Sequence, residues 1–479
     1  MALAWPALLC IACGFLLVSL GWSSRSPFAS DLLFRISLSI GFGVGIFSVV
    51  FFGWRAIGVG SPAVVDLVIF ALLLVSFLLF RARGAPGAHV EIDGAPWLRR
   101  ILTVAFVISL CAALYADIVR MLVHPHGDGW DAFAIWNLHA RFLFRGGSHW
   151  RDGFTALIPW SHPDYPLLLP AGIAHFWTYV GHDDPAVPAT ISLLFTFCTV
   201  GLLVSALSIL RSRAAAMLGG LTLLTTPFFI EQGTAQYADI PLAFFLLATV
   251  VLLCVNDEDS RRGLKSPRVL VLAGLAAGFA AWTKNEGLLF LGAIVAARLV
   301  VLIRLNKSVA TQPKPRREQG HDLLLLLAGV APVFVVIAWF KHSVAPPGDL
   351  FSDSATMLQK VLDPTRYWVV IQWYAKGFLR FGDWLGIPGT LLLMAWYFAA
   401  GKEKDGKSEP GFRTSLLALI LTLTGYFAVY LITPYDIYWH LRFSLPRLFL
   451  QLWPSAIFLF FLAIPPDVLR PNHLSENGA

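Results

Sequence analysis

Apolar residues arrive along this chain in long unbroken blocks. They do not form the every-third-or-fourth stripe of an amphipathic helix or the strict alternation of a half-buried strand. A block of about 17 to 23 apolar residues is what an α-helix needs to cross roughly 30 Å of hydrocarbon. Such blocks lie at 3–22, 32–53, 62–82, 101–122, 186–210, 213–230, 238–255, 269–284, 286–304, 322–340, 386–400, 414–433 and 446–465. The pattern predicts an all-α, polytopic integral membrane protein with thirteen transmembrane helices. Only Lys284, Asn285 and Glu286 separate the blocks 269–284 and 286–304.

Between the blocks, the basic residues sort the loops. Arg81, Arg83, Arg99 and Arg100, then Arg211 and Arg213, then Arg261, Arg262, Lys265 and Arg268, then the stretches 304–317 and 402–413, all fall on one side of a thirteen-span chain. The positive-inside rule makes that side cytoplasmic, with the N-terminus outside and the tail 466–479 inside. Two long segments, 123–185 and 341–385, then lie outside, with short turns at 231–239, 284–286 and 434–445. The first predicts a helix from Trp130 to Phe144, and its apolar piece Pro166–Val180 is too marked by Pro and Gly to read as a span. The second holds PTRYWVVIQWYAKGFLRFGDW, whose aromatics and spaced cations suit a helix in the headgroup layer. One linker-like loop, KSVATQPKPRREQG, falls on the cytoplasmic side, and no internal repeat is visible.

Composition sharpens this picture. The chain is 57% hydrophobic and 14% charged, well short of the polar surface a soluble globule of this size requires. The net charge of +7 sits mainly in short loops, so it reads as a topology signal and not as a nucleic-acid footprint. Cys10, Cys13, Cys111, Cys198 and Cys254 all fall inside apolar blocks, which predicts neither a disulfide framework nor a zinc finger. The first twenty residues lack a basic leader and a cleavage site, so they read as a retained first helix.

The densest polar cluster, HPHGDGWDAFAIWNLHARFLF, follows the fourth block. An acid just beyond a span end, on the first turn of a helix, is well placed to take a proton from an acceptor hydroxyl. Asp131 fits that position best and Asp128 stands close behind; helix capping would explain one of these acids, though not both with two histidines. In SHPDYPLLLP, His162 and Asp164 sit on a proline-stiffened turn and, with His124 and His126, are candidates for holding a divalent metal ion. EQGTAQYADIPLAFFLL sets Glu231 and Asp239 at a helix mouth, where a functional carboxylate and a simple solvated turn are equally open. AAWTKNEGLLF places Lys284 and Glu286 between apolar blocks, where they either pair or face a shared cavity. Near the last span, WHLRFSLPR puts His440, Arg442 and Arg447 on the side that the positive-inside rule disfavours. An anionic ligand would account for those arginines, as would snorkelling to lipid phosphates.

Taken in order and on one side, these pieces resemble the GT-C superfamily of integral-membrane glycosyltransferases, in particular bacterial relatives of protein mannosyltransferases and aminoarabinose transferases. The resemblance runs from about Arg99 onward and is carried by GDGWDAFAIW, HPDYPLLLP, QYADIPLAFF, GLAAGFAAWTKNEG and WHLRFSLPR. It implies a GT-C-like catalytic domain over 99–465, preceded by three accessory spans in 1–98 and followed by the tail 466–479. It also implies a bacterial inner-membrane enzyme that moves a sugar from a polyprenyl-phosphate donor to a lipid, glycan or protein hydroxyl at the periplasmic face. The implied reaction inverts the anomeric centre, with Asp131 or Asp128 as base. Asp239, Lys284, Glu286, His440, Arg442, Arg447, His162 and Asp164 are the implied binding residues. Two departures stand out: the family usually shows an adjacent Asp-Glu pair where this chain has Asp131-Ala132, and its core usually begins with the first helix. A lipid-linked glycan polymerase or ligase is the nearest alternative, and a secondary transporter the more distant one, since no repeated broken-helix topology is visible.

Overall fold

The computed structural model describes residues 3–22, 28–58, 60–80, 96–263, 266–305, 316–348, 350, 354–382, 389–400 and 410–464. Among them every regular element is a helix. The α-helices are α1 (Ala4–Gly21), α2 (Phe28–Ile57), α3 (Pro62–Phe80), α4 (Pro96–Val123), α5 (Asn137–Arg145), α6 (Leu168–Val180), α7 (Ala186–Leu210), α8 (Arg213–Leu224) and α9 (Pro227–Gly233). They continue with α10 (Asp239–Arg261), α11 (Pro267–Thr283), α12 (Asn285–Leu305), α13 (Arg316–Ser343), α14 (Ser354–Leu362), α15 (Pro364–Arg380), α16 (Gly389–Ala400), α17 (Pro410–Ile432) and α18 (Ile437–Ala463). The tail 466–479 and most of the linker-like loop lie outside the described residues.

Ten of these helices are long and apolar enough to cross a membrane, and each coincides with one of the thirteen apolar blocks. This is a polytopic membrane protein. The other three blocks take different forms. Block 213–230 is the pair α8 and α9, bent by 70° at Thr225–Thr226. Pro227 opens α9, and a proline holds the residue before it away from helical backbone, which gives the bend its cause. Block 269–284 is α11, at 17 residues just under a full span, and block 386–400 becomes the 12-residue α16. The Pro166–Val180 piece folds as α6, which is buried against α2 and α5.

At the centre stands α10, whose spanning stretch is buried along its whole length and touches α7, α11, α17 and α18. A helix apolar all round demands that setting. Beside it α11 and α13 cross closely because Gly274 and Gly329 lack side chains: a Cβ on Gly274 would stand 1.9 Å from the Leu326 carbonyl oxygen. Helices α2 and α3 are tied into this bundle by buried polar contacts. Trp282 Nε1 donates to Ser48 Oγ at 3.0 Å, and Ser48 donates onward to the Leu167 carbonyl. Asp66 on α3 meets His175 on α6 at 2.8 Å with both side chains buried, and the Tyr179 hydroxyl donates to the same carboxylate.

Candidate active site

Four separated pieces of chain meet at one end of α10, and each is delivered by a local feature of the sequence. The first is the loop HPHGDGWD. Gly127 and Gly129 both adopt left-handed backbone (φ 84° and 77°), and a Cβ on Gly127 would stand 2.7 Å from the Ala235 carbonyl oxygen. Only glycine tolerates that combination, so the loop turns tightly after α4 and presents Asp131 at the start of the short helical turn Ala132–Trp136. Gln236 pins this loop from the other side: it accepts from Asn137 Nδ2 at 2.8 Å and donates to the Pro125 carbonyl at 2.9 Å.

The second piece is Asp239, the first residue of α10, where the positive end of the helix dipole favours a carboxylate. The third is Lys284, whose extended backbone (φ −161°, ψ 160°) breaks α11 from α12. The fourth is Arg447, a third of the way along α18.

Arg447 lies between the two acids. Its Nη1 donates to Asp131 Oδ2 at 2.6 Å, while Nε and Nη2 both reach Asp239 Oδ2 at 2.8 Å. The other oxygen of Asp239 receives Lys284 Nζ at 3.1 Å and Gln451 Nε2 at 2.5 Å. Lys284 then meets Glu286 at 2.8 Å. The side chain of Asp239 is 0% exposed and that of Lys284 6%, whereas Arg447 and Asp131 reach 18% and 24%. Removing these charges from water is tolerable because every one of them is paired. Three carboxylates against two cations leave the cluster one negative charge in excess.

Tyr237 lies under Arg447, with its ring centroid 4.6 Å from the guanidinium carbon. Burial and the adjacent Asp131 carboxylate push its phenol up to about 12, so it remains a neutral hydroxyl and not a base. The HPDY turn supports the cluster from the flank. His162, itself in left-handed backbone, stacks on Tyr165 at 4.7 Å, and Asp164 accepts from Asn285 Nδ2 at 2.8 Å. Lys341 donates to the Asp164 carbonyl and to Asn285 Oδ1. Asp164 thereby holds the α11–α12 break that positions Lys284.

Other residues singled out from the sequence stand apart. Asp128 pairs with Arg120 and, at 3.5 Å, with His124. Glu231 faces a 460 Å³ cavity between α4 and the bent α8–α9 pair. His440 shares a hydrogen bond with Thr433 at 2.8 Å, and Arg442 is exposed with its guanidinium over the Phe443 ring. Arg442 and Arg447 are five positions apart, which turns them roughly 140° from each other around α18. The metal candidates are not gathered either: His124 turns to Asp128, His162 to Tyr165 and Asp164 to Asn285. Among the described residues, no group of three or more His, Cys, Asp or Glu side chains converges to hold a metal ion.

Sequence reading missed Gln451, Tyr237, Asn137, Gln236 and Lys341. For Gln451 a signal existed. It lies four residues beyond Arg447, on the same face of an otherwise apolar span, where a polar side chain needs a partner.

Residues 173–344, from within α6 to just past α13, match the family model described as dolichyl-phosphate-mannose-protein mannosyltransferase, a GT-C family. The match supports the GT-C resemblance over that stretch, which is 172 of the chain's 479 residues (344 − 173 + 1). It covers Asp239, Lys284 and Glu286, and leaves Asp131 and Arg447 outside its bounds. No curated protein and no solved structure matches the chain.

Proposed function

We propose, with the family match over residues 173–344 as the premise, that this protein transfers a sugar from a polyprenyl-phosphate carrier to an acceptor hydroxyl at the outer face of a bacterial inner membrane. The observation that carries this reading is the bridge of Arg447 between Asp131 and Asp239, with Lys284 on the far side of Asp239. The half-buried Asp131 carboxylate touches Arg447, and Lys284 lies one carboxylate further in, which supports a base beside a cation able to meet a phosphate.

In this reading Asp131 is the general base. The acceptor O–H bond breaks with its proton passing to the Asp131 carboxylate, and the oxygen attacks the anomeric carbon from the face opposite the phosphate. The bond from that carbon to the phosphate oxygen then breaks with its electron pair leaving on the phosphate. Configuration inverts. The departing phosphate gains negative charge, and a cation already fixed in a partly dry site stabilises it more than water would. Arg447 and Lys284 fill that role. Asp239 is the positioning residue for both, since it holds each cation by a separate carboxylate oxygen. Asp128 is tied to Arg120 and is the weaker candidate for the base. No step is routed through a metal ion, because the proposed ligands are not gathered in one place.

The direct test is incubation of purified protein with polyprenyl-phosphate sugars, the mannosyl donor first, while following released polyprenyl phosphate. Release that depends on Asp131 supports the reading. Transfer from a nucleotide sugar with no lipid carrier would contradict it.

A further inference from the structure

We infer that the donor phosphate and the Asp131 carboxylate compete for one guanidinium, so that donor binding at Arg447 is what releases the base; this rests on the function proposed above. Three of the five N–H groups of Arg447 are engaged, one on Nη1 by Asp131 and those on Nε and Nη2 by Asp239. A phosphate that takes a bidentate grip on the Nη1–Nη2 end therefore competes with Asp131 for Nη1 and for the guanidinium charge.

The two carboxylates are not equally displaceable. Asp239 is fully buried, sits at the first turn of α10, and also accepts from Lys284 and Gln451. Pulling it away would leave the buried Lys284 ammonium with Glu286 alone and the buried Gln451 amide without its acceptor. Asp131 is partly exposed, stands on a glycine-hinged loop, and holds Arg447 through Nη1 alone. It is the partner that yields.

The exchange also balances charge. The cluster carries one excess negative charge, so an arriving phosphate diester is repelled unless a cation turns toward it. Once Arg447 does so, Asp131 is a free carboxylate beside the reacting centre. As the acceptor proton reaches it, Asp131 becomes neutral and no longer draws Arg447 back, while the phosphate takes up the electron pair of the broken bond. Without donor the base stays engaged.

Competition makes an unusual prediction: removing the acid that serves as base should improve binding of the leaving group. Undecaprenyl phosphate in detergent micelles is the probe, with its dissociation constant measured for wild type, Asp131→Asn, Arg447→Gln and the double variant. Asp131→Asn should bind about tenfold more tightly than wild type, a difference of about 1.4 kcal/mol. That gain should vanish in the Arg447→Gln background, because no shared guanidinium remains. Asp131→Ala is the second variant and should show the same gain. Binding by Asp131→Asn and Asp131→Ala that equals or falls below wild type would overturn the inference. So would a gain that persists in Arg447→Gln, which would mean simple charge repulsion. Absence of any binding to wild-type protein would instead sink the function on which the competition depends, and the competition with it.

Discussion

Asp131 and Arg447 lie 316 positions apart in the chain and meet at 2.6 Å. Their contact joins the loop after α4 to the upper part of the last span, and through Asp239 it reaches the α11–α12 break. Because α10 is clamped between these pieces, small displacements in any of them would be felt at the same pair of cations.

The two arginines of WHLRFSLPR should separate cleanly by function. Arg447→Gln is expected to lower both donor affinity and turnover, since its contact with the phosphate strengthens as the sugar departs. Arg442→Gln, with its guanidinium over Phe443 on another face of α18, should leave donor kinetics unaltered. Steady-state kinetics on correctly inserted protein make the comparison; a loss of turnover in Arg442→Gln equal to that in Arg447→Gln would remove the assignment.

Asp239 should report on stability more than on chemistry. Asp239→Ala leaves Lys284 with Glu286 alone, Arg447 with Asp131 alone and the buried Gln451 amide without its acceptor, which is expected to cost about 1–3 kcal/mol. Thermal unfolding in detergent should show this as a large fall in Tm, and Asp239→Ala with wild-type stability would mean that the ion network is not holding the site.

Much of this arrangement was readable before the fold was known, and its limits have physical reasons. Among the described residues, each of the ten helices long and apolar enough to cross a membrane coincides with an apolar block because hydrocarbon thickness sets helix length, whereas three further blocks are bent or shorter. Lys284 and Glu286 stood out because charges between two apolar blocks need partners, and Lys284 pairs with both Glu286 and Asp239. The turn at Asp239 looked solvent-exposed from sequence, yet the residue is fully buried. Local sequence could not reveal that α18, more than two hundred residues later, brings Arg447 and Gln451 over it. Arg442 and Arg447 looked equivalent because the helical phase that separates them matters only once the neighbour of α18 is known.

His139 should impose a pH dependence on stability. Burial, and then the nearby His162, lower its pKa from 6.5 to about 3, so the folded protein holds it neutral. The unfolded chain binds this proton more readily, so the stability contribution is fully present above pH 6.5 and is lost as pH falls from there toward 3. Tm measured at pH 7 and pH 5 should therefore fall more for wild type than for His139→Gln. Equal slopes would show that His139 does not titrate on unfolding.

Sidedness is open to a simple labelling experiment. In a Cys111→Ser background, Ser148→Cys should react with an impermeant thiol reagent added outside intact cells, and Arg262→Cys should react only after permeabilisation. Both positions are exposed and lie in loops assigned to opposite faces. Labelling of Arg262→Cys alone from outside would invert the topology.

The central claim is that Asp131 takes the acceptor proton in a reaction that consumes a polyprenyl-phosphate sugar. The measurement that tests it most directly is release of polyprenyl phosphate by purified wild-type and Asp131→Asn proteins in proteoliposomes, with donor and acceptor supplied together. The half-buried acid contributes little to folding, so both proteins should unfold at similar temperatures. Turnover by Asp131→Asn should nevertheless fall by on the order of a hundredfold or more. Wild-type rates in a folded Asp131→Asn protein would contradict the account.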